Sequence, residues 1–254
     1  MKTAIFLSIR EKATRLPKKV LRLIGGRTTC EHLIARLSLA KEPDLLVMAT
    51  STHPDDDVLV RIARSAGIAC FRGSEEDKLN RYLRAAEHYG IDFMVIVDGD
   101  DLFCSEEHID QTIEAFRQTG ADYISQYGLP LGAASFGVRT EALRTVCRLK
   151  QEQDTEVWGG YFTDTGRFRV HMIQVTDALL NRPNIRMTLD YEEDFRFFET
   201  VFGAVAVEGS VPRFRDVMMF LAAHPEVTAI NQAAQVKYEQ HLKRSTAVRM
   251  AKEP

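Results

Sequence analysis

The feature that most constrains this chain is an alternation, through its first half, of short apolar runs with segments patterned as amphipathic helices. The apolar runs are Thr3 to Ile9, Leu45 to Thr50, Ile68 to Phe71 and Asp92 to Val97. Each has the length and apolar content of a buried strand. Between them lie Thr28 to Leu39, with Leu33, Ile34 and Leu37 at helical spacing, then Pro54 to Ser65 and Glu75 to His88, and Ser105 to Gln118 follows the last run. Pro54 stands early in its helix, with Asp55, Asp56 and Asp57 in the first turn, where carboxylates favour the helix dipole. Ser105 is placed to cap its helix and Gly120 to end it, and Gly90 is placed to end the helix from Glu75. Strands alternating with helices imply an α/β fold, a mostly parallel Rossmann-like sheet with helices on both faces. Ligands of such sheets bind beyond the carboxyl ends of the strands. That rule selects four segments: Arg10 to Lys19, Ser51 to Pro54, Arg72 to Asp77 and Asp98 to Asp101.

The second half is less regular. Gly128 to Gly137 reads as a loop leading into a short strand, and Thr140 to Leu149 as a helix. Phe168 to Val175 and Ile185 to Leu189 read as strands, the second ending at Asp190. Helices are expected at Glu192 to Phe202, Arg213 to Ala223 and Ile230 to His241. There is no internal repeat, low-complexity tract or linker. We therefore expect one domain over 1–254, with an embedded acceptor or dimerisation lobe at about 125–180 and a frayed tail at 245–254.

Two of the four selected segments carry complementary charge. Arg10 to Lys19 holds five cations in ten residues: Arg10, Lys12, Arg15, Lys18 and Lys19. Cations at the ligand edge of a parallel sheet suit a polyphosphate, whose oxygens Arg can take two at a time. A solvated basic loop has the same composition. The segment does not match the GxxxxGK[ST] phosphate loop. Asp98-Gly99-Asp100-Asp101 follows the most apolar strand. Carboxylates around a glycine suit a hard divalent cation, and magnesium takes one or two of them and fills its shell with water and phosphate oxygens. The same residues also make an ordinary turn. Asp190 offers a second carboxylate at a strand end, where it is equally placed to cap the next helix. In Arg72 to Asp77, Ser74 reads as a helix cap with Asp77 three residues on. Arg72 and Gly73 are not explained by capping.

Composition removes several classes. Lys and Arg total 33 against 36 Asp and Glu, a formal charge of −3. That balance does not suit a nucleic-acid binder working through a broad cationic face. No apolar run has membrane-spanning length, and Ala4 to Ile9 is too short for a signal-peptide core. The expectation is a soluble cytoplasmic protein with no membrane or nucleic-acid partner. The four cysteines, Cys30, Cys70, Cys104 and Cys147, are widely spaced with no CxxC pair, and the seven histidines show no zinc spacing.

Taken in order, these segments resemble the cytidylyltransferase family that includes the spore coat polysaccharide nucleotidyltransferases, and more distantly the CMP-sugar-acid synthetases. The family's opening Arg and its Gly-Ser-Thr-Arg-Leu-Pro-Gly-Lys run are matched by Arg10, Thr14, Arg15, Leu16, Pro17 and Lys19. Its middle is similar to Phe71 to Asp77 with Asn80-Arg81-Tyr82. Its metal turn is similar to Gly99-Asp100, and its second acidic strand end to Thr188-Leu189-Asp190 with Glu193-Asp194. The stretch from Phe220 through His224-Pro225-Glu226 to Asn231 also has the family's look. The chain departs from the pattern at Lys12-Ala13 and Lys18, where the family has glycine or serine. It departs again at Asp101-Leu102-Phe103 and at Thr155 to Gly159, where the acceptor-side Arg-Glu-His segment is altered.

The resemblance implies a sheet of the nucleotide-diphospho-sugar transferase type and transfer of CMP from CTP to a sugar, sugar acid or phosphorylated acceptor, with pyrophosphate leaving and Mg2+ as cofactor. It implies phosphate contacts from Arg10, Arg15 and Lys19, with Arg10, Lys19 and Asp100 as the catalytic set and Asp100 and Asp190 on the metal. Ser8, Arg72, Ser74, Asp77 and Asp98 would complete the nucleotide site. Glu156, Trp158 and Tyr161 would face the acceptor, although Trp158, the sole tryptophan, serves as well in a core. A homodimer is implied, with Val157 to Val175 as its element. Two other readings share the motifs: a nucleotide-sugar glycosyltransferase using Asp98-Gly99-Asp100 on its metal, and a non-catalytic nucleotide-binding homologue.

Overall fold

The computed structural model describes residues 1–12, 15–155, 157–207 and 210–242. Its frame is a seven-stranded sheet built from β1 (Thr3–Ser8), β4 (Leu45–Ser51), β5 (Ala69–Gly73), β6 (Phe93–Asp98), β7 (Tyr123–Tyr127), β8 (Phe136–Arg139) and β9 (Val170–Gln174) in the spatial order β5-β4-β1-β6-β8-β7-β9. The first four are mutually parallel, β8 is antiparallel to both β6 and β7, and β9 is parallel to β7. The expected sheet is therefore present, mostly parallel, with one reversed strand. A separate hairpin pairs β2 (Leu23–Ile24) with β3 (Arg27–Thr28) through Gly25 and Gly26, both at positive φ.

Burial follows the alternation of side chains along each strand. Ile5 and Leu7 of β1 face α1 (Thr29–Leu37), α2 (Asp57–Ser65) and α4 (Glu106–Thr119). Ala4 and Phe6 face the other way, onto α3 (Lys78–Tyr89) and α5 (Thr140–Leu149). All of β1 is buried, as a central strand covered on both faces must be. The second cluster also takes in Tyr161 and Phe162 of the short α6 (Gly160–Thr163). A third cluster lies off the main sheet layers. It joins Leu16, Ile24, Leu102 and Phe103 to α7 (Glu192–Val205) and α8 (Phe214–Ala223), followed by α9 (Gln232–Leu242). This cluster fixes the loops beyond the strand ends, so it positions the site.

Several expected elements need correction. The helix expected from Glu75 begins at Lys78, because Asp77 and not Ser74 is its cap: Asp77 accepts the amide of Asn80 at 3.0 Å. Ser74 instead accepts the amide of Asp77 at 3.1 Å, shaping the turn before the helix. Ser105 holds the cap position of α4 but makes no capping bond, its hydroxyl meeting His108 Nδ1 at 2.7 Å. Ile185 to Leu189 is not a strand. It makes one isolated bridge, Leu131 with Arg186, with Met187 and Leu189 buried in the third cluster and Ile185 packed against it. β7 was not anticipated, since its polar Ser125 and Gln126 break the apolar pattern. The Gln126 amide is satisfied inside the fold, donating to Thr112 and accepting from the amide of Ser135. The residues Ala13, Thr14 and Glu156 and the expected tail at 245–254 lie outside the described residues.

Candidate active site

β1 ends at Ser8, whose hydroxyl accepts from Tyr82 of α3. The chain then turns across the sheet edge, and its course is set by Asp56. That buried carboxylate accepts the Glu11 amide at 2.7 Å, the Thr50 hydroxyl at 2.9 Å and the Ser51 amide at 3.0 Å. Burial opposes its charge, but these donors outweigh it and hold Asp56 below the usual carboxylate range. Arg10 reaches the Glu75 carbonyl at 2.7 Å, and Lys12 pairs with the Glu75 carboxylate at the surface. Leu16 then anchors the loop in the third cluster. Lys18 adopts a left-handed conformation, φ 55° and ψ 26°, which turns Lys19 inward.

Asp98, Gly99 and Asp100 form the turn after β6. Gly99 donates to the Ser8 carbonyl at 2.8 Å, so the two strand ends are joined at this point. A β-carbon on Gly99 would lie 2.6 Å from Ile9 Cγ1. Only glycine allows that approach.

Asp190 comes from a segment far away in sequence. Met187 and Leu189, fully or almost fully buried, pin the segment, and the Leu189 amide donates to the Asp100 carbonyl at 2.9 Å. Asp190 does not cap α7. Asp194 does that work, accepting the Asp190 amide at 2.9 Å and the Tyr191 amide at 3.0 Å. Asp194 is itself held by Arg186 Nε at 2.9 Å and Asn231 at 2.9 Å. The Asp190 carboxylate is thereby left to face the cleft.

There the two acidic segments meet the basic loop. Lys19 Nζ lies 2.7 Å from Asp100 Oδ2 and 3.1 Å from Asp190 Oδ1. Arg15 reaches the same Asp190 oxygen at 2.6 Å, and Arg186 holds the other at 3.2 Å. Burial would lower the Lys19 ammonium, yet the two carboxylates outweigh it and raise its pKa. Asp190 is also desolvated but is held low by Lys19 and Arg15. Asp100 goes the other way: desolvation, with Asp190 and Asp98 nearby, raises it despite Lys19. Asp101 is raised further by desolvation and by Asp100 and Asp98. The carboxylates of the acidic turn therefore disfavour one another's charge even with Lys19 in place.

These groups open into a cleft of about 1040 Å³ at the carboxyl ends of the strands. One wall is aromatic. Trp158 is 5% exposed and meets Tyr82, Tyr123, Phe136 and Phe162 edge-on, yet still lines the cleft. It is both a core residue and a wall residue.

A family profile described as cytidylyltransferase matches residues 4–200. The chain belongs to the cytidylyltransferase family. Spore coat polysaccharide biosynthesis protein SpsF of Bacillus subtilis is 29% identical to it over 203 residues, covering 77% of this chain and 84% of that protein. A solved cytidylyltransferase from Leptospira borgpetersenii superposes with a TM-score of 0.81 at 22% identity, over 90% of this chain and 97% of the other. A CMP:2-keto-3-deoxy-manno-octonic acid synthetase solved with CTP superposes at 0.63 and 11% identity, over 80% and 99% of the two chains. These structures show that the sheet is of the nucleotidyltransferase type.

Within this family member, Ser8, Arg10, Arg15, Lys19, Asp98, Asp100, Asp190 and Trp158 all line one cleft. Three nucleotide candidates and one acceptor candidate are not on its wall. Arg72 is engaged elsewhere, donating to the Ser51 carbonyl at 2.9 Å, the His53 carbonyl at 2.7 Å and Asp57 at 2.6 Å. It ties the end of β4 to the start of α2. Ser74 shapes the turn, and Asp77 caps α3 and pairs with Lys150 at 2.6 Å. Tyr161 is 2% exposed in the second cluster. Glu156 lies outside the described residues.

The structure adds three cleft residues to the named site candidates. Lys78 lies on the cleft, its ammonium 3.0 Å from Asp98. Its place beside a capping Asp gave no reason to expect an inward ammonium. Asp101 was visible only as part of an acidic turn. Tyr238 reaches the cleft from α9, its ring under the Arg186 guanidinium at 4.9 Å. Nothing in the local sequence signals that contact.

Two facing carboxylates with a cation between them fit a divalent metal. Asp100 and Asp190 offer hard oxygens, and Lys19 shows that positive charge is accommodated between them. Among the described residues no group of three or more His, Cys, Asp or Glu side chains forms a metal cage. Magnesium that keeps phosphate oxygens and water needs only one or two protein carboxylates. No described helix is long and apolar enough to cross a membrane.

Proposed function

We propose that this family member transfers CMP from CTP to a sugar, sugar acid or phosphorylated sugar, releasing pyrophosphate, in cytoplasmic synthesis of a surface polysaccharide or related glycan. One observation carries the reading: Asp100 and Asp190, from segments far apart in sequence, converge on Lys19 and Arg15 of the cationic loop. The names of the SpsF relative and of the CTP-bound synthetase support the donor and the product class.

In this reading Arg10, Arg15 and Lys19 bind the triphosphate, with Asp100 and Asp190 holding magnesium. Bound magnesium supplies Lewis-acid polarisation of the phosphoryl oxygens. The acceptor oxygen attacks the α-phosphorus while the bond to pyrophosphate breaks. Negative charge grows on the leaving group, where the loop cations stabilise it. Trp158, Tyr123 and Phe136 give an apolar wall for a sugar ring and keep water off the acceptor side. The exposed edge strand β9, with Val170 and Met172 facing outward, is the surface we assign to a homodimer.

The test is pyrophosphate release from CTP and magnesium across a panel of sugars, sugar acids and sugar phosphates. The reading expects release with at least one acceptor and a cytidine monophosphate adduct as product. Asp100→Ala should lose turnover while keeping its circular dichroism spectrum. A nucleoside diphosphate as product indicates a glycosyltransferase instead. Full activity in Asp100→Ala removes the metal assignment.

A further inference from the structure

The cleft sets the chain's own cations on the oxygens that a metal would need. Lys19 spans Asp100 and Asp190, and Arg15 shares the Asp190 oxygen that Lys19 takes. A metal ion and an ammonium compete for that position, because both seek the same lone pairs at contact distance.

The Lys19 backbone is fixed. Its amide donates to the Leu16 carbonyl at 3.2 Å, and its carbonyl accepts the Thr29 hydroxyl at 2.6 Å. Any exchange is therefore a matter of side-chain torsions, with the loop staying in place. The Lys19 side chain is only 15% exposed while it pairs with the two carboxylates, and a Lys19 driven off them exchanges two ion pairs for the water of the cleft alone. A bare dication arriving alone would leave that ammonium without a carboxylate partner beside further positive charge. A metal arriving on a triphosphate brings anionic oxygens with it. Those oxygens offer Lys19 and Arg15 new partners as the carboxylates are taken.

We propose that Lys19, assisted by Arg15, is a specificity-determining residue that closes the Asp100–Asp190 pair to free divalent cations and opens it to one carried by a nucleoside triphosphate. The proposal rests on the reading of the cleft as a CTP–metal site. It makes metal and nucleotide binding strongly synergistic. It also makes a counter-intuitive prediction, that removing a cation which binds nucleotide improves binding of the bare metal.

The probe is Mn2+, with free ion followed by electron paramagnetic resonance, with and without CTP. Wild-type protein is expected to bind Mn2+ weakly alone and much more tightly with CTP. Lys19→Met should bind Mn2+ alone about tenfold or more tightly than wild type, since the competitor for two carboxylates is gone. CTP should then add little. Arg15→Met, which leaves Lys19 in place, should shift Mn2+ binding the same way by a smaller factor, and Lys19→Arg should behave as wild type. If the unpaired carboxylates keep Lys19→Met from folding without metal, Mn2+-dependent recovery of its melting transition supports the proposal equally. Lys19→Met and Arg15→Met that fold but bind Mn2+ no tighter than wild type overturn it. In that case Mn2+ binding by wild type with CTP leaves the cytidylyltransferase reading standing. Wild type that binds no Mn2+ even with CTP overturns both.

Discussion

Lys18 is the single described non-glycine residue at positive φ, and it stands where the resembled family has glycine. The left-handed region costs an L-residue roughly 1–2 kcal/mol through contact between its β-carbon and backbone. Here that cost sets the turn which directs Lys19 to the two carboxylates. Lys18→Gly should therefore leave stability unchanged or raise it by up to about 1 kcal/mol, the relief being offset in part by a freer unfolded chain. Lys18→Val should lower it by about 1 kcal/mol or more, because a branched β-carbon fits this region worse. Urea midpoints of the two variants against wild type check both signs. At this scale the sequence shows the identity of the site residues better than their aim. Asp100, Asp190, Arg15 and Lys19 are legible as charge clustered at strand ends. Lys78 and Tyr238 are not, because their direction is set by how α3 and α9 dock.

At the scale of elements, α4 carries a buried histidine in its first turn. His108 is 3% exposed, meets the Ser105 hydroxyl and lies where helix dipole and burial both disfavour a cation. Burial, with Arg215 adding to it, pushes its pKa down to about 4. The unfolded chain, with an ordinary histidine pKa of about 6.5, takes up that proton first. Its stabilising contribution is thus complete above about pH 6.5 and is lost as pH falls to the folded value, a change on the order of 3 kcal/mol. Chemical denaturation of wild type and His108→Gln between those pH values should show a shallower loss in the variant. Equal slopes would place the pH dependence elsewhere. The elements themselves were legible where both faces are buried, as in β1, β4 and β6. They were illegible where burial came from elsewhere: Ile185 to Leu189 looks like a strand because the α7–α8 layer buries it. β7 hides because Gln126 is satisfied internally by Thr112 and Ser135.

At the scale of the whole molecule, the near-balanced charge of −3 conceals a separation that the fold exploits. The parallel strands deliver the cationic loop and the acidic turn to one edge, and the third cluster brings Asp190 to meet them. The alternation of strands and helices was enough to predict the edge, since it follows from local pattern. The convergence of Asp190 came only with the family resemblance, since it depends on packing between segments far apart in sequence. That this edge binds a metal–CTP complex is checked by calorimetric titration of the protein with nucleotides, with and without magnesium. CTP should bind with magnesium about tenfold or more tightly than without it, and more tightly than ATP, GTP or UTP. Binding of CTP that ignores magnesium, or a nucleotide sugar that binds in preference to CTP, would contradict the account.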